Sequence, residues 1–193
     1  MGVYYLIVNP AKREYLDPDR FGWGTKFHNL LEGGPCTLAL KYLIADDSIG
    51  WWVGDPVVLA GDDTGRPNPA GLVTATTNDP SRNLYFQAQQ EFTDISYRAL
   101  ALLARNPKIA ADLADSAARD TRLLLDLGAV LDEYGTRALE IALERTVGRP
   151  WRKAHNKAAA ERQDWRPLPR IGWGPYGIPW PTPNETMTHE LGL

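Results

Sequence analysis

The chain has 193 residues, 44% of them apolar and 23% charged, enough to bury a core in one domain with an extension. Cys36 is the single cysteine, which excludes an intramolecular disulfide and leaves one thiolate at most for a zinc site. No stretch approaches the ~18 consecutive apolar residues of a membrane span, and no basic leader precedes a long apolar run, so a soluble cytoplasmic protein without membrane partners is expected.

The formal charge of −3 is unevenly divided. Residues up to Val147 carry 14 basic and 20 acidic side chains, whereas the remainder carries 7 basic and 4 acidic ones. The C-terminal part is chemically distinct.

In chain order, Val3–Asn9 is rich in Tyr, Ile and Val, and Asn9-Pro10 opens a turn toward a second short strand around Arg13–Leu16, which reads as a hairpin. Phe21-Gly22-Trp23-Gly24 is an aromatic loop. Thr25 caps a short helix with Phe27, Leu30 and Leu31 at helical spacing, and Thr37–Ala45 reads as another. Within Ile49–Asp63, the stretch around which the chain is organised, Val57-Val58-Leu59 between two Gly-Asp turns reads as a buried strand that starts after Pro56. If extended, Trp51 and Trp52 point to opposite faces.

Leu72–Thr77 reads as one more strand. From about Leu84 the apolar period becomes helical, Asn106-Pro107 is a helix start, and amphipathic helices continue to Gly148-Arg149-Pro150, with Gly128 and Gly135 as weak points. The fold class is therefore α+β, with a small, mostly antiparallel N-terminal sheet and short helices followed by a helical region. Residues 1–147 form one domain, sheet-rich over 1–80 and helical over 84–147. Residues 148–193 form a basic, Trp/Pro-rich extended arm, because proline and glycine accumulate there.

Tyr4-Tyr5, Asn9, Lys12, Glu14-Tyr15-Leu16, Phe21-Gly22, Lys26, Trp52-x-Gly54-Asp55, Gly61-Asp62 and Glu91-Phe92-Thr93-Asp94-Ile95-Ser96 together resemble a family of small, functionally uncharacterised bacterial proteins. The resemblance covers about residues 1–100. It implies one N-terminal unit and transfers no catalytic residue.

Several chemistries lack their motifs. There is no G-x-x-x-x-G-K-[ST] phosphate loop, no complete dinucleotide fingerprint, no G-x-S-x-G elbow and no His-based zinc signature. Asp46, Asp47, Asp55, Asp62 and Asp63 flank the central strand, and their oxygens suit Ca²⁺ or Mg²⁺, with Asp55 and Asp62 the first candidates for a metal-dependent enzyme. Asp beside Gly is also an ordinary turn pair, and that reading ranks ahead. Cys36 with His28 would make a nucleophile and base, although a thiol at the start of an apolar helix is more often structural.

The tail gives the strongest functional hint. Arg149, Arg152, Lys153, Lys157, Arg162, Arg166 and Arg170 form a basic patch interleaved with Trp151 and Trp165, and Trp173, Tyr176 and Trp180 follow in a Pro/Gly-rich run. These aromatic residues, with Trp23 and Trp51 from the loops, are the candidate partner-binding set. The leading expectation is a non-enzymatic interaction or assembly protein, of the accessory or immunity type, that binds a protein partner or itself and carries no cofactor. An arm wrapped over its own domain satisfies the same physics, and nucleic-acid binding through the basic patch ranks lower behind a net-negative body.

Overall fold

The computed structural model describes residues 4–22, 33–45, 51–62, 83–162 and 164–168. The expected helix after Thr25, the expected strand Leu72–Thr77, and Trp23, Arg170, Trp173, Tyr176 and Trp180 lie outside them.

Strand β1 (Tyr5–Asn9) pairs antiparallel with β2 (Glu14–Leu16) in the register Ile7 to Leu16, Val8 to Tyr15 and Asn9 to Glu14, which is the hairpin expected from Asn9-Pro10. Strand β3 (Val58–Gly61) pairs antiparallel with the other side of β1, and β4 (Thr93–Asp94) runs parallel to β2. The order β3-β1-β2-β4 makes the sheet mixed and puts β1 inside it. Among the described residues, the strand of the Ile49–Asp63 stretch is therefore an outer one rather than a fully buried one. Val58 and Ala60 face a core, but Leu59 stays 38% exposed. An alternating three-residue apolar run has only one inward face to fill.

Both sides of β1 are covered. Leu6, Val8, Tyr15, Val58 and Ala60 pack with Leu84 and Ala88 of helix α2 (Leu84–Glu91), while Ile7 and Leu16 join the main helical core. That core is built from α1 (Pro35–Ile44), α3 (Ser96–Leu103), α4 (Pro107–Ala117), α5 (Thr121–Tyr134), α6 (Arg137–Thr146) and α7 (Trp151–Glu161). The architecture is α+β.

Side-chain caps start several of these helices. Asn83 accepts from the Tyr85 N–H, Asn106 from Lys108 and Ile109, and Asp120 from Arg122 and Leu123. Gly135, at φ 63°, closes α5 in the left-handed region that favours glycine. All eight residues of α3 are buried, and it packs against α5; α4 packs against α6, and α5 against α7.

Helix α7 stands where the sequence reading expects extended chain. Its prolines and glycines are confined to Gly148-Arg149-Pro150 before the helix and to residues from Pro167 onward, and the intervening Lys153–Glu161 is rich in Ala, Lys and Glu, which favour helix. Trp151 is only 2% exposed and belongs to the core, so the first part of the supposed arm is integral to the helical unit. Among the described residues, no helix is long and apolar enough to cross a membrane.

Candidate functional site

Asp126 lies in the middle of α5 among Leu123, Leu124, Leu125 and Leu127, and it is fully buried. Its Oδ1 accepts from three distant parts of the chain: Tyr97 Oη on α3 at 2.5 Å, Arg20 Nη1 at 3.0 Å and the Trp165 indole N–H at 2.9 Å. Arg20 comes from a 3₁₀ turn (Pro18–Phe21) that Asp17 caps by accepting from the Asp19 N–H. Burial is the largest influence and disfavours the Arg20 charge, but Asp126 together with Tyr97, Asp94 and Asp17 outweighs it and the guanidinium pKa rises. Burial and then the Asp126 charge push the Tyr97 hydroxyl up, so it remains a donor. Asp126 is thus a junction tying the sheet end, the helical core and the segment after α7 together.

Around this junction the side chains form an aromatic row. The His155 ring stands edge-to-face between Trp151 and Trp165, with centroid distances of 6.3 Å on both sides. His155 Nε2 lies 3.3 Å from the Leu125 carbonyl oxygen, and Nδ1 lies 3.1 Å from Asn156 Oδ1. The ring sits directly on Gly128, where a Cβ would overlap His155 Cδ2 and Nε2. Gly128, a weak point by propensity, is a contact point by packing.

A cavity of about 310 Å³ opens beside the row, lined mainly by Tyr97, Ala129, His155, Trp165, Pro167 and Leu168. Its acidic rim carries Asp132 and Glu133, with Asp132 paired to Arg152. The Arg152 guanidinium also lies 4.4 Å from the Trp151 ring centroid. A mostly apolar concavity with a few fixed polar groups is the usual form of a recognition pocket.

The Trp51-Trp52 pair lies elsewhere, at the hairpin. Its backbone turns rather than extends, so the two rings are not sent to opposite faces. Both indole N–H groups donate to Glu14 Oε2, at 2.7 Å from Trp51 and 2.8 Å from Trp52. Trp52 is buried, and Lys12 lies 5.2 Å from the centroid of the partly buried Trp51 ring. Trp51 and Trp165 are thus held by different carboxylates, Glu14 and Asp126.

The two candidate metal carboxylates are occupied differently. Asp55 Oδ2 accepts from Asn9 Nδ2 at 2.9 Å and pairs with Lys12 at 3.3 Å, and the Asn9 bond followed by Lys12 lowers its pKa. Asp62 Oδ1 accepts the Tyr4 N–H at 2.9 Å, fixing the end of the β1–β3 pairing. Among the described residues, no group of three or more His, Cys, Asp or Glu side chains is arranged to hold a metal ion. Cys36 is buried, its thiol pushed well up by burial first, and His28 lies outside the described residues.

Two members of the proposed basic patch are paired with carboxylates. Arg152 is held by Asp132, Lys157 lies 3.8 Å from Glu161, and Arg166 donates to the Trp165 carbonyl at 2.7 Å. Arg149, Lys153 and Arg162 are exposed. Of the proposed aromatic anchors, Trp151 is a core residue and Trp165 a partly buried wall of the cleft. Asp126, Tyr97 and Arg20 are not among the residues that the sequence reading singles out, although a carboxylate inside Leu-Leu-Leu-Asp-Leu-Gly is itself a signal of a buried partnered charge.

No family model, curated protein or solved structure matches the chain.

Proposed function

We propose that the protein is a non-enzymatic interaction or assembly protein of the accessory or immunity kind. Its recognition surface is the cleft between α5, α7 and residues 164–168, used together with the aromatic stretch that follows it in sequence. The supporting observation is the bond from the Trp165 indole to the buried Asp126 carboxylate, which fixes one wall of an open, mostly apolar cavity. Preorganised aromatic walls bind at low entropic cost, because the side chains are already held when a partner arrives.

Among the described residues, three groups that would otherwise suit chemistry are engaged in structure. Asp55 is bound by Asn9 and Lys12, Glu14 by two indoles, and the Cys36 thiol is buried with a raised pKa. The partner is a protein, either foreign or a second copy.

Ala129→Glu tests this reading, since it places a charge in the cleft wall on a partly exposed helical position. Light-scattering mass and affinity capture of full-length wild type and variant are compared, with circular dichroism confirming equal helicity. Association by wild type and its loss in the variant is the expected result. Equal behaviour of the two proteins removes the cleft from the account.

A further inference from the structure

The cleft ends where a distinctive stretch of sequence begins. Leu168, at the end of the described chain, is part of the cavity wall, and Trp173, Tyr176 and Trp180 follow within twelve residues. Building on the interaction reading above, we propose that the cleft of one copy receives the Ile171–Pro181 stretch of a second copy, so that the partner is the protein itself.

Three observations converge on that occupant. The walls are aromatic and apolar, formed by Tyr97, Ala129, His155, Trp165, Pro167 and Leu168, and proline-rich segments with aromatic side chains dock in aromatic-lined grooves because their extended form is already ordered. The rim carries Glu133 and Asp132, the latter paired to Arg152, and so is net acidic by one charge, whereas residues 169–181 contain Arg170 and no acidic residue, so the charges are complementary. The sequence Pro167-Leu168-Pro169 fixes φ at two of three consecutive positions and favours extended chain at the intervening one. Chain reversal at those three positions is disfavoured, which favours a neighbouring copy as the source of the stretch. Reciprocal exchange between two copies would fill both clefts in a closed, twofold arrangement.

The test uses two full-length variants, Asp132→Cys and Gly177→Cys, mixed in equal amounts under mild oxidation. Each retains the native Cys36, whose side chain is buried. Asp132 is on the exposed rim, outside the apolar walls; its replacement removes one rim carboxylate while Glu133 stays, and the effect of the alanines is read against the same Asp132→Cys partner. A disulfide-linked dimer containing one of each variant is expected. Adding Trp173→Ala, Tyr176→Ala and Trp180→Ala to the Gly177→Cys chain should slow its formation by about tenfold or more, because docking rather than random encounter then sets the local concentration.

Absence of a mixed dimer, or a rate indifferent to the three alanines, overturns the exchange. A chain carrying both cysteines separates this failure from that of the interaction reading. If the mixture gives no dimer but the double-cysteine chain closes on itself in an alanine-sensitive way, the cleft still takes the aromatic stretch but within one copy, and the second-copy proposal falls. If neither forms and Ala129→Glu still abolishes capture, the partner is foreign.

Discussion

Trp165 and Asp126 are separated by 39 positions, yet the indole N–H of one meets the buried carboxylate of the other at 2.9 Å. The bond joins the segment after α7 to the centre of α5. It makes Trp165 a fixed wall of the cleft.

Trp165→Phe tests that bond while retaining an aromatic ring. Asp126 would lose one donor in a buried setting, for an expected loss of about 1–3 kcal/mol in a urea titration. Hydrogen exchange should accelerate first at residues 164–168, with α3 and α4 little changed.

Asp126→Leu should be more damaging. It leaves the Arg20 guanidinium, 15% exposed, without its carboxylate and removes the acceptor of both the Tyr97 hydroxyl and the Trp165 indole. Breaking one side of a buried charge pair costs about 3–5 kcal/mol. A denaturation midpoint equal to that of wild type would show that the cluster contributes nothing net.

Gly128→Ala opposes propensity and packing. Helix propensity gains about 1 kcal/mol, but overlap with the His155 ring costs typically about 1–3 kcal/mol. The expected net change is destabilising in wild type and stabilising when combined with His155→Ala. Additive behaviour in this double-mutant cycle would mean that the two positions do not share the contact.

Stability should also depend on pH through Asp94. Burial first, then the nearby Asp17 charge, pushes its carboxyl up to about 7 despite the bonds it accepts from Ser96. The native state therefore holds more protons than the unfolded chain between about pH 4 and about pH 7, and this contribution to stability is lost as pH rises through that window. Asp94→Asn retains an acceptor for the Ser96 N–H and cannot titrate. Urea midpoints measured across the window should fall less steeply for the variant than for wild type.

Glu14→Leu probes the hairpin separately from the cleft. It leaves the buried Trp52 indole without its acceptor and removes the same acceptor from Trp51. A loss of about 1–3 kcal/mol per buried unpaired donor is expected in denaturant titrations, with altered tryptophan fluorescence. Partner capture should survive in the folded fraction, because Glu14, Trp51 and Trp52 do not line the cleft.

What the sequence reveals follows from how local each signal is. The β1–β2 hairpin, the Asn106 cap and the helical period after Leu84 depend on neighbouring residues, and they are legible. The position of β3 at the outside of the sheet depends on β1 pairing with two strands at once, which no local pattern encodes. Trp51 and Trp52 are assigned opposite faces only if the backbone is extended, and the turn at Trp51–Gly54 brings both indoles to Glu14 instead. The prolines from Pro167 onward dominate the composition of the tail and mask the helix-forming run Lys153–Glu161. The candidate cleft needed Tyr97, Asp126, His155 and Trp165 to be brought together from three helices and a following segment, and tertiary packing alone does that.

The most direct measurement is an NMR titration of full-length protein carrying Trp173→Ala, Tyr176→Ala and Trp180→Ala with a synthetic peptide of residues 169–183. The account predicts saturable binding that shifts the Trp165 indole N–H and the amides of Ala129 and Leu168, leaving the Trp51 indole at the hairpin unmoved. Absence of shifts at the cleft, or shifts that do not saturate there, would contradict the claim that this surface recognises the protein's own aromatic stretch.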